Sequence, residues 1–128
     1  METVRITGKN RLSGEVRLQG AKNSALPILA AAASVDGVSV IHNCPRLSDV
    51  DAAIKILRFI GCKVEREGDT VTVDATAVDR CDVPRELMCE MRSSVLFLAP
   101  LLARLGTAEI SARGGCEIGL RPIDLHLS

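Results

Sequence analysis

Two apolar segments of the chain begin the same order of elements. Ser24 begins SALPILAAAAS, and Ser94, 70 residues later, begins SVLFLAPLLAR. Each has a cation two residues before it, Lys22 and Arg92, and each is followed by a glycine, a short strand-like stretch and a loop with a cysteine. This repetition favours α/β layering built from duplicated units, of which the second is incomplete.

Local patterns predict the remaining elements of secondary structure. Alternation of polar and apolar residues predicts strands; they are expected at residues 3–7, 14–19, 38–41, 62–65, 70–73 and 108–112. Apolar residues at helical spacing predict helices; they are expected at about 24–34, at 48–60 with Ser48-Asp49 as the cap, at 85–105 with a break near Ser93, and from Pro122 to Leu127. Pro27 is expected in the first turn of its helix, where a proline costs little.

Composition limits the class of protein. The chain has 128 residues, of which 47% are hydrophobic, which is enough for one modest domain or a piece of a larger one. Only 2% are aromatic, so the core is expected to consist of Ala, Val, Ile and Leu. Sixteen basic residues balance 16 acidic ones, which argues against a nucleic-acid binder, since these usually carry a basic excess.

The cysteines indicate a reducing compartment. There are five, an odd number without a C-x-x-C pair: Cys44, Cys62, Cys81, Cys89 and Cys116. The first four are predicted to be reduced and mostly buried, as in a cytoplasmic protein. His42 and His126 stand apart, so no metal site is expected. The longest apolar run, at about 25–35, is too short to cross a membrane.

Cys116 lies in a glycine-rich loop, RGGCEIGLRP, at residues 113–122. Glycines free the backbone and let a ligand approach closely. The guanidinium groups of Arg113 and Arg121, on either side of the cysteine, favour a thiolate. Three roles for Cys116 stay open from these residues alone: nucleophile, general acid or structural thiol. A papain-type protease is disfavoured because no matching His and Asn context is present.

Several charged residues stand where helices are predicted to begin. Lys22 and Asn23 open the first helix, where a cation opposes the helix dipole unless an anion offsets it. The functional interpretation is a phosphate or carboxylate ligand, and the alternative is a solvated surface lysine; the same argument applies to Arg92. Arg121 could bind a phosphate with two hydrogen bonds. Asp124 is as well explained as a helix cap.

Four segments together resemble one family of enzymes. They are GAKNSALPILAAA at 20–32, the pattern N-x-P-x-L-x-D-V at 43–50, MRSSVLFLAPLLARLG at 91–106 and GGCEIGLRPIDLHL at 114–127. In this order they are similar to the UDP-N-acetylglucosamine 1-carboxyvinyltransferases, the enolpyruvyl transferases that open bacterial peptidoglycan synthesis. The related enolpyruvyl transferase of the shikimate pathway shares the fold but is not known for the cysteine loop, so the loop favours the first group.

The resemblance implies a reaction and a set of site residues. The family transfers the enolpyruvyl group of phosphoenolpyruvate to the 3′-hydroxyl of the UDP-sugar and releases phosphate. Cys116 matches the loop cysteine, a general acid toward the methylene carbon that can form a covalent adduct and is alkylated by fosfomycin; some members have aspartate there. Lys22 and Asn23 match contacts of phosphoenolpyruvate and the sugar nucleotide, and Arg92 matches a ligand of UDP-N-acetylglucosamine. The segment that lines the nucleotide site, with its first residue also near the phosphoenolpyruvate phosphate, comprises Arg121, Pro122, Ile123, Asp124 and Leu125.

The resemblance also implies a fold and a domain organisation. Family members form an inside-out α/β barrel with two domains, each made of three repeated units of the βαβαβ type. Residues 1–128 are then the N-terminal part, with about two units, and the rest of the first domain and the whole second domain lie outside the chain. The expected partners are phosphoenolpyruvate and UDP-N-acetylglucosamine, with no cofactor. The alternative is a non-catalytic UDP-sugar-binding module or a non-functional fragment.

Overall fold

The computed structural model describes residues 2–91 and 93–110, in which helices and strands are mixed. The helices are α1 (Lys22–Ala32), α2 (Ser48–Phe59), α3 (Arg85–Cys89) and α4 (Leu98–Leu105), with a 3₁₀ turn at Ser94–Phe97 directly before α4. The strands are β1 (Val38–Ile41), β2 (Lys63–Glu67), β3 (Thr70–Asp74), β4 (Asp82–Val83) and β5 (Glu109–Ile110). No helix within these residues combines the length and apolar character needed to cross a bilayer.

A three-stranded antiparallel sheet forms one side of the core, in the order β1-β3-β2. The hairpin between β2 and β3 confirms the predicted turn, which is tight because Gly68 adopts a left-handed φ of 61°. The central strand places Val71 and Val73 on one face, and both are fully buried. Because directly opposed residues share a face, Val64 of β2 and Ile41 of β1 extend this apolar surface.

The helices α1 and α2 pack together beside this sheet. Val50, Ala53 and Leu57 of α2 and Ile60, which directly follows it, recur at helical spacing, and all four are fully buried. Leu29 gives α1 its own fully buried contact with this core. The apolar residues whose spacing predicted α2 are therefore the residues that pack in the core.

The predicted helical region at 85–105 is interrupted, as expected. It consists of α3, the 3₁₀ turn and α4, and its fully buried side chains include Met88, Met91 and Phe97. The expectation of a core made only of Ala, Val, Ile and Leu was therefore wrong, because two methionines and a phenylalanine occupy its centre. The strand β5 pairs in parallel with β4, a two-residue strand that the sequence patterns did not predict.

The repeat in the sequence is visible in the structure as two neighbouring helical segments. The helix α1 contacts the 3₁₀ turn before α4, and a groove of about 320 Å³ runs between them with Pro27 and Pro100 in its walls. Each segment is followed by a glycine and then by a strand, β1 or β5. Gly106 ends α4 with a φ of 71°, a conformation that suits glycine. The order of helix, glycine and strand is confirmed in both segments, and the second cysteine loop lies outside the described residues.

The two strands predicted before α1 are wrong. Residues 2–21 contain no strand, and their apolar side chains are 80% to 92% exposed: Val4, Ile6, Leu12, Val16 and Leu18. Alternation favours a pleated chain, but a strand also needs a neighbour for its backbone hydrogen bonds. None of the strands in the described part of the chain pairs with this segment.

The start points of α1 and α2 differ from the predicted caps. The residue before α2 is Leu47, so Ser48 lies inside the helix and does not cap it with its side chain. The helix α1 begins at Lys22, earlier than predicted, which places Pro27 beyond its first turn. Since proline has no N–H, the carbonyl of Asn23 loses its helical hydrogen bond.

The cysteines differ in exposure more than predicted. Cys44 and Cys62 are buried, Cys81 is half-buried and Cys89 is exposed; all four are free thiols. The prediction of burial is confirmed for the first two and wrong for Cys89, which lies at the last residue of the short helix α3.

Candidate functional site

The first turn of α1 carries Lys22 and Asn23 and has no side-chain cap. Ala21 precedes the helix in an extended conformation, and its methyl group cannot accept a hydrogen bond. The N–H groups of Ser24 and Ala25 bond to the carbonyl of Ala21 at 3.2 and 2.9 Å. Uncapped N–H groups and the helix dipole make this end of α1 favourable for an anion.

An anion is present here, and the chain itself supplies it. The ammonium of Lys22 lies 2.9 Å from Oδ2 of Asp49, a residue in the first turn of α2. The Lys22 side chain is 47% exposed, and its ammonium has three N–H donors. The lysine is therefore neither a freely solvated side chain nor fully occupied, and the starts of α1 and α2 meet at this ion pair.

The loop before α2 is packed against the residues before α1. A side chain at Gly20 would collide with the carbonyl oxygen of Asn43, so only glycine permits this approach of the two backbones. Asn43 itself has a positive φ of 53°. The N–H of Arg46 donates to Oε1 of Gln19 at 3.4 Å. These contacts fix the distance between the two helix starts independently of the ion pair.

Arg66 ties the same loop to the sheet. From β2 its Nη2 donates to the carbonyls of Cys44 and Pro45 at 3.1 and 2.9 Å, and its Nη1 lies 3.5 Å from Asp51. The N–H of Cys44 also bonds to the carbonyl of Asp69, at 2.7 Å. The loop is thus held on both sides, by the N-terminal segment and by the hairpin.

The two buried thiols near these elements are poor nucleophiles. Burial raises the pKa of Cys62 to about 11, although the positive charge of Arg104 opposes the shift. Burial also raises the pKa of Cys44, against the smaller opposing effect of Arg66. Because the thiolate is the reactive form, neither offers the chemistry predicted for Cys116.

Two residues of this arrangement were missed in the sequence. Asp49 was interpreted as part of a helix cap, and Arg66 was given neither an element nor a role. A signal for Asp49 was available, because it is the acidic residue of the pattern N-x-P-x-L-x-D-V and Lys22 requires an anion. Nothing in the spacing of Arg66 indicated that its side chain would reach a loop more than 20 residues earlier.

Most of the predicted site falls outside the described residues. Only Lys22 and Asn23 lie within them, adjacent at the start of α1. The predicted residues beyond the described ranges are Arg92, Cys116, Arg121, Pro122, Ile123, Asp124 and Leu125. Their roles stay predictions.

Comparison with known proteins decides the family. Residues 6–128 match the family model described as EPSP synthase (3-phosphoshikimate 1-carboxyvinyltransferase). The chain belongs to the EPSP synthase family. The resemblance drawn from the four sequence segments is confirmed at this level, and the loop and helix starts described above are the part of an EPSP synthase family fold that surrounds Lys22.

Within the EPSP synthase family, the similar curated proteins share one name. UDP-N-acetylglucosamine 1-carboxyvinyltransferase 2 of Caldanaerobacter subterraneus subsp. tengcongensis is 56% identical over 127 residues, which are 99% of this chain and 30% of that protein. UDP-N-acetylglucosamine 1-carboxyvinyltransferase of a Psychrobacter species is 47% identical over 127 residues, again 99% of this chain and 29% of that protein. The chain therefore spans about a third of the length of these curated relatives.

A solved structure supports the same fold. The crystal structure of the enolpyruvyl transferase NikO from Streptomyces tendae matches with a TM-score of 0.76 and 38% sequence identity, over 82% of this chain and 25% of that one. The expected α/β class of the enolpyruvyl transferases is thereby confirmed, with the mixed helices and strands described above as a part of it.

Gly20→Ala is expected to destabilise the fold by about 1–3 kcal/mol, the usual cost of overpacking. The new methyl group would overlap the Asn43 carbonyl oxygen and lie 3.2 Å from its carbon and 3.4 Å from Cδ of Pro45. Arg66 holds the next two carbonyls of the loop, those of Cys44 and Pro45, so the loop cannot move aside cheaply. Urea unfolding followed by circular dichroism measures the change.

Gly8→Ala is the matched control for Gly20→Ala, because a side chain at Gly8 meets nothing within 4 Å. It is expected to leave the unfolding midpoint unchanged or to raise it slightly, since alanine restricts the unfolded chain. Equal midpoints for the two variants would show that the approach of Gly20 to Asn43 does not constrain the fold.

Proposed function

We propose that the chain is the N-terminal part of a UDP-N-acetylglucosamine 1-carboxyvinyltransferase. The complete protein would transfer the enolpyruvyl group of phosphoenolpyruvate to the 3′-hydroxyl of UDP-N-acetylglucosamine and release phosphate. The observation that carries this proposal is the 56% identity with a relative of that name over nearly the whole chain. The cysteine loop at 113–122, as the sequence resemblance has it, favours this reaction over that of the shikimate-pathway enzyme.

The residues of α1 fit an anionic substrate. In the proposed function Lys22 and Asn23 contact phosphoenolpyruvate, whose phosphate and carboxylate suit a cation beside an uncapped helix start. The exposed half of the Lys22 side chain leaves donors for such a group. Arg92 is assigned to UDP-N-acetylglucosamine. The remaining contacts are assigned to Arg121, Pro122, Ile123, Asp124 and Leu125, with Arg121 also near the phosphate of phosphoenolpyruvate.

The proposed reaction is an addition followed by an elimination. Cys116 donates a proton to the methylene carbon of phosphoenolpyruvate while the sugar hydroxyl adds to the neighbouring carbon, which gives a tetrahedral intermediate. Loss of phosphate from that intermediate, together with a proton from the methyl group made in the first step, then forms the enol ether of the product. Protonation of carbon requires a well-placed acid, and the charges of both substrates require cations in a site shielded from water.

The proposed place of the reaction is the cytoplasm, at the first committed step of peptidoglycan synthesis. Phosphoenolpyruvate and the sugar nucleotide are the proposed partners, and no metal or cofactor takes part. The missing base for the sugar hydroxyl and the second domain would come from sequence outside this chain, as the family resemblance implies. A site shared between two domains needs both of them for correct geometry.

A joined protein tests the proposal. The unaltered 128-residue chain is fused to the remainder of the Caldanaerobacter relative, replacing the aligned N-terminal part. Phosphate release from phosphoenolpyruvate is then measured with and without UDP-N-acetylglucosamine, for this joined protein and for the chain alone. The joined protein is expected to turn over only when both substrates are present, and the chain alone is expected to be inactive.

Three results separate the alternatives. Turnover by the joined protein supports the transferase. Calorimetric binding of UDP-N-acetylglucosamine by the chain alone, without turnover by the joined protein, indicates a non-catalytic binding module. A folded joined protein that neither binds nor reacts would contradict both and indicate a non-functional fragment.

A further inference from the structure

Lys22 and Asp49 each lie in the first turn of a helix, and the helix dipole favours only one of these two charges there. An aspartate in the first turn of a helix is favourable, because its charge complements the helix dipole. A lysine in that position is unfavourable on the same grounds. Asp49 offsets this cost with a contact of 2.9 Å to the ammonium, and α1 begins there without a side-chain cap.

The loop that leads into Asp49 is held by contacts that do not involve Lys22. The close approach of Gly20 to Asn43 and the bond from Arg46 to Gln19 fix the loop before α2 against the segment before α1. Arg66 binds two carbonyls of the same loop from the sheet side. The fold therefore places the backbone that leads into Asp49, and the carboxylate at its end meets the flexible lysine side chain.

We propose that Asp49 is the positioning residue for the Lys22 ammonium in phosphoenolpyruvate binding. This inference rests on the proposed function, in which Lys22 contacts that substrate. An ammonium has three N–H donors, so one can remain on Asp49 while others reach a phosphate or carboxylate oxygen. Without the carboxylate, the four-carbon stem of the lysine is free to extend into solvent, and binding must restrict it.

Asp49 acts through Lys22 and not on the substrate directly. Its carboxylate would repel an anion, and its side chain is only 25% exposed. The pattern N-x-P-x-L-x-D-V has a role in this inference. Its first residue, Asn43, lies against Gly20, and its aspartate, Asp49, positions the Lys22 ammonium at the start of α1.

Asp49→Asn in the joined protein tests the inference. The amide keeps the size of the side chain and removes its charge. The KM for phosphoenolpyruvate is expected to rise about fivefold, the effect of losing a partly exposed ion pair at the upper end of its range. The KM for UDP-N-acetylglucosamine is expected to change much less, which a merely structural role would not allow.

Asp51→Asn is the matched control. Asp51 shares the first turn of α2 and its dipole, but its carboxylate pairs with Arg66 and its side chain is 65% exposed. The KM for phosphoenolpyruvate is expected to stay at its original value in this variant. An equal rise in both variants would overturn the inference, because it would trace the effect to the helix start alone. A fall in the KM of Asp49→Asn would also overturn it, since Asp49 would then compete with the substrate for Lys22.

A double-mutant cycle with Lys22→Met separates this inference from the proposed function. If Asp49 acts through Lys22, Asp49→Asn adds nothing to the KM for phosphoenolpyruvate once the ammonium is gone. If Lys22→Met raises the KM but the two effects multiply, the positioning role is overturned and the proposed substrate contact stands. If Lys22→Met leaves the KM unchanged, the assigned contact fails and the inference fails with it.

Discussion

Phe97→Ala is expected to lower the free energy of unfolding by about 3–5 kcal/mol, the usual cost of truncating a buried aromatic side chain. Phe97 is fully buried and is the largest of the fully buried side chains. It ends the 3₁₀ turn that packs against both α1 and α4. The methyl group of alanine cannot fill that space, so the variant loses apolar contacts and leaves a cavity. Urea unfolding measures the loss as a lower midpoint at an unchanged slope.

Phe59→Ala is the matched control, because Phe59 is the other phenylalanine of the chain. It ends α2 in a half-buried position, with the guanidinium of Arg80 4.7 Å from the centre of its ring. Its loss is expected to be clearly smaller than that of Phe97→Ala, since less apolar surface leaves the core. Equal losses would mean that the 3₁₀ turn does not anchor the second helical segment.

The buried position of Phe97 could not be predicted from the composition of the chain. A low aromatic content predicted an aliphatic core, and most buried residues do fit that description. A composition does not say where its rare residues lie, however. The packing of the second helical segment onto α1 decides that Phe97 and the two methionines Met88 and Met91 face inward.

Elements with local causes were predictable. The hairpin at 63–74 follows from alternation on both sides of a glycine turn, and α2 follows from its apolar stripe. The segment at 2–19 shows the limit. Its alternating residues Val4, Ile6, Val16 and Leu18 satisfy the local requirement for a strand, but hydrogen bonding to a neighbouring strand is a tertiary property.

The candidate site was predictable in part for the same reason. The position of Lys22 at a helix start predicted a phosphate or carboxylate ligand or a solvated lysine, and its ligand stays a prediction. The anion in the structure is Asp49, which lies 27 residues later and reaches Lys22 only because Gly20 allows the two loops to touch. A sequence argument about charge predicts that the group beside Lys22 is negative. The tertiary structure decides which negative group it is.

Cys116→Ser is expected to abolish covalent labelling of the joined protein by fosfomycin. The proposed function makes Cys116 the alkylated residue, and a serine hydroxyl is far less nucleophilic than a thiolate at neutral pH. Mass spectrometry of proteolytic peptides after exposure to fosfomycin measures the adduct and locates it. Labelling that persists in Cys116→Ser would overturn the assignment.

The other cysteines supply the control for that experiment. Cys89 is exposed, so it is the described thiol most accessible to a reagent, and Cys89→Ser is expected to leave the fosfomycin adduct intact. Cys62 is protected by burial, which raises its pKa to about 11. Loss of the adduct in Cys89→Ser would mean that accessibility alone directs the reagent.

Cys116→Asp separates the two chemical roles of the residue. A carboxyl group can donate a proton to carbon but forms no thioether, so this variant is expected to keep turnover while losing the fosfomycin adduct. Loss of both would assign Cys116 to covalent chemistry instead of acid catalysis. In the proposed function Lys22 contacts phosphoenolpyruvate and pairs with Asp49, so its contribution to phosphoenolpyruvate binding should be the same in both Cys116 variants. If Cys116→Ser and Cys116→Asp have the same KM for phosphoenolpyruvate but different turnover, Cys116 acts at the reacting carbon. Lys22 then acts on the negatively charged groups of the same substrate.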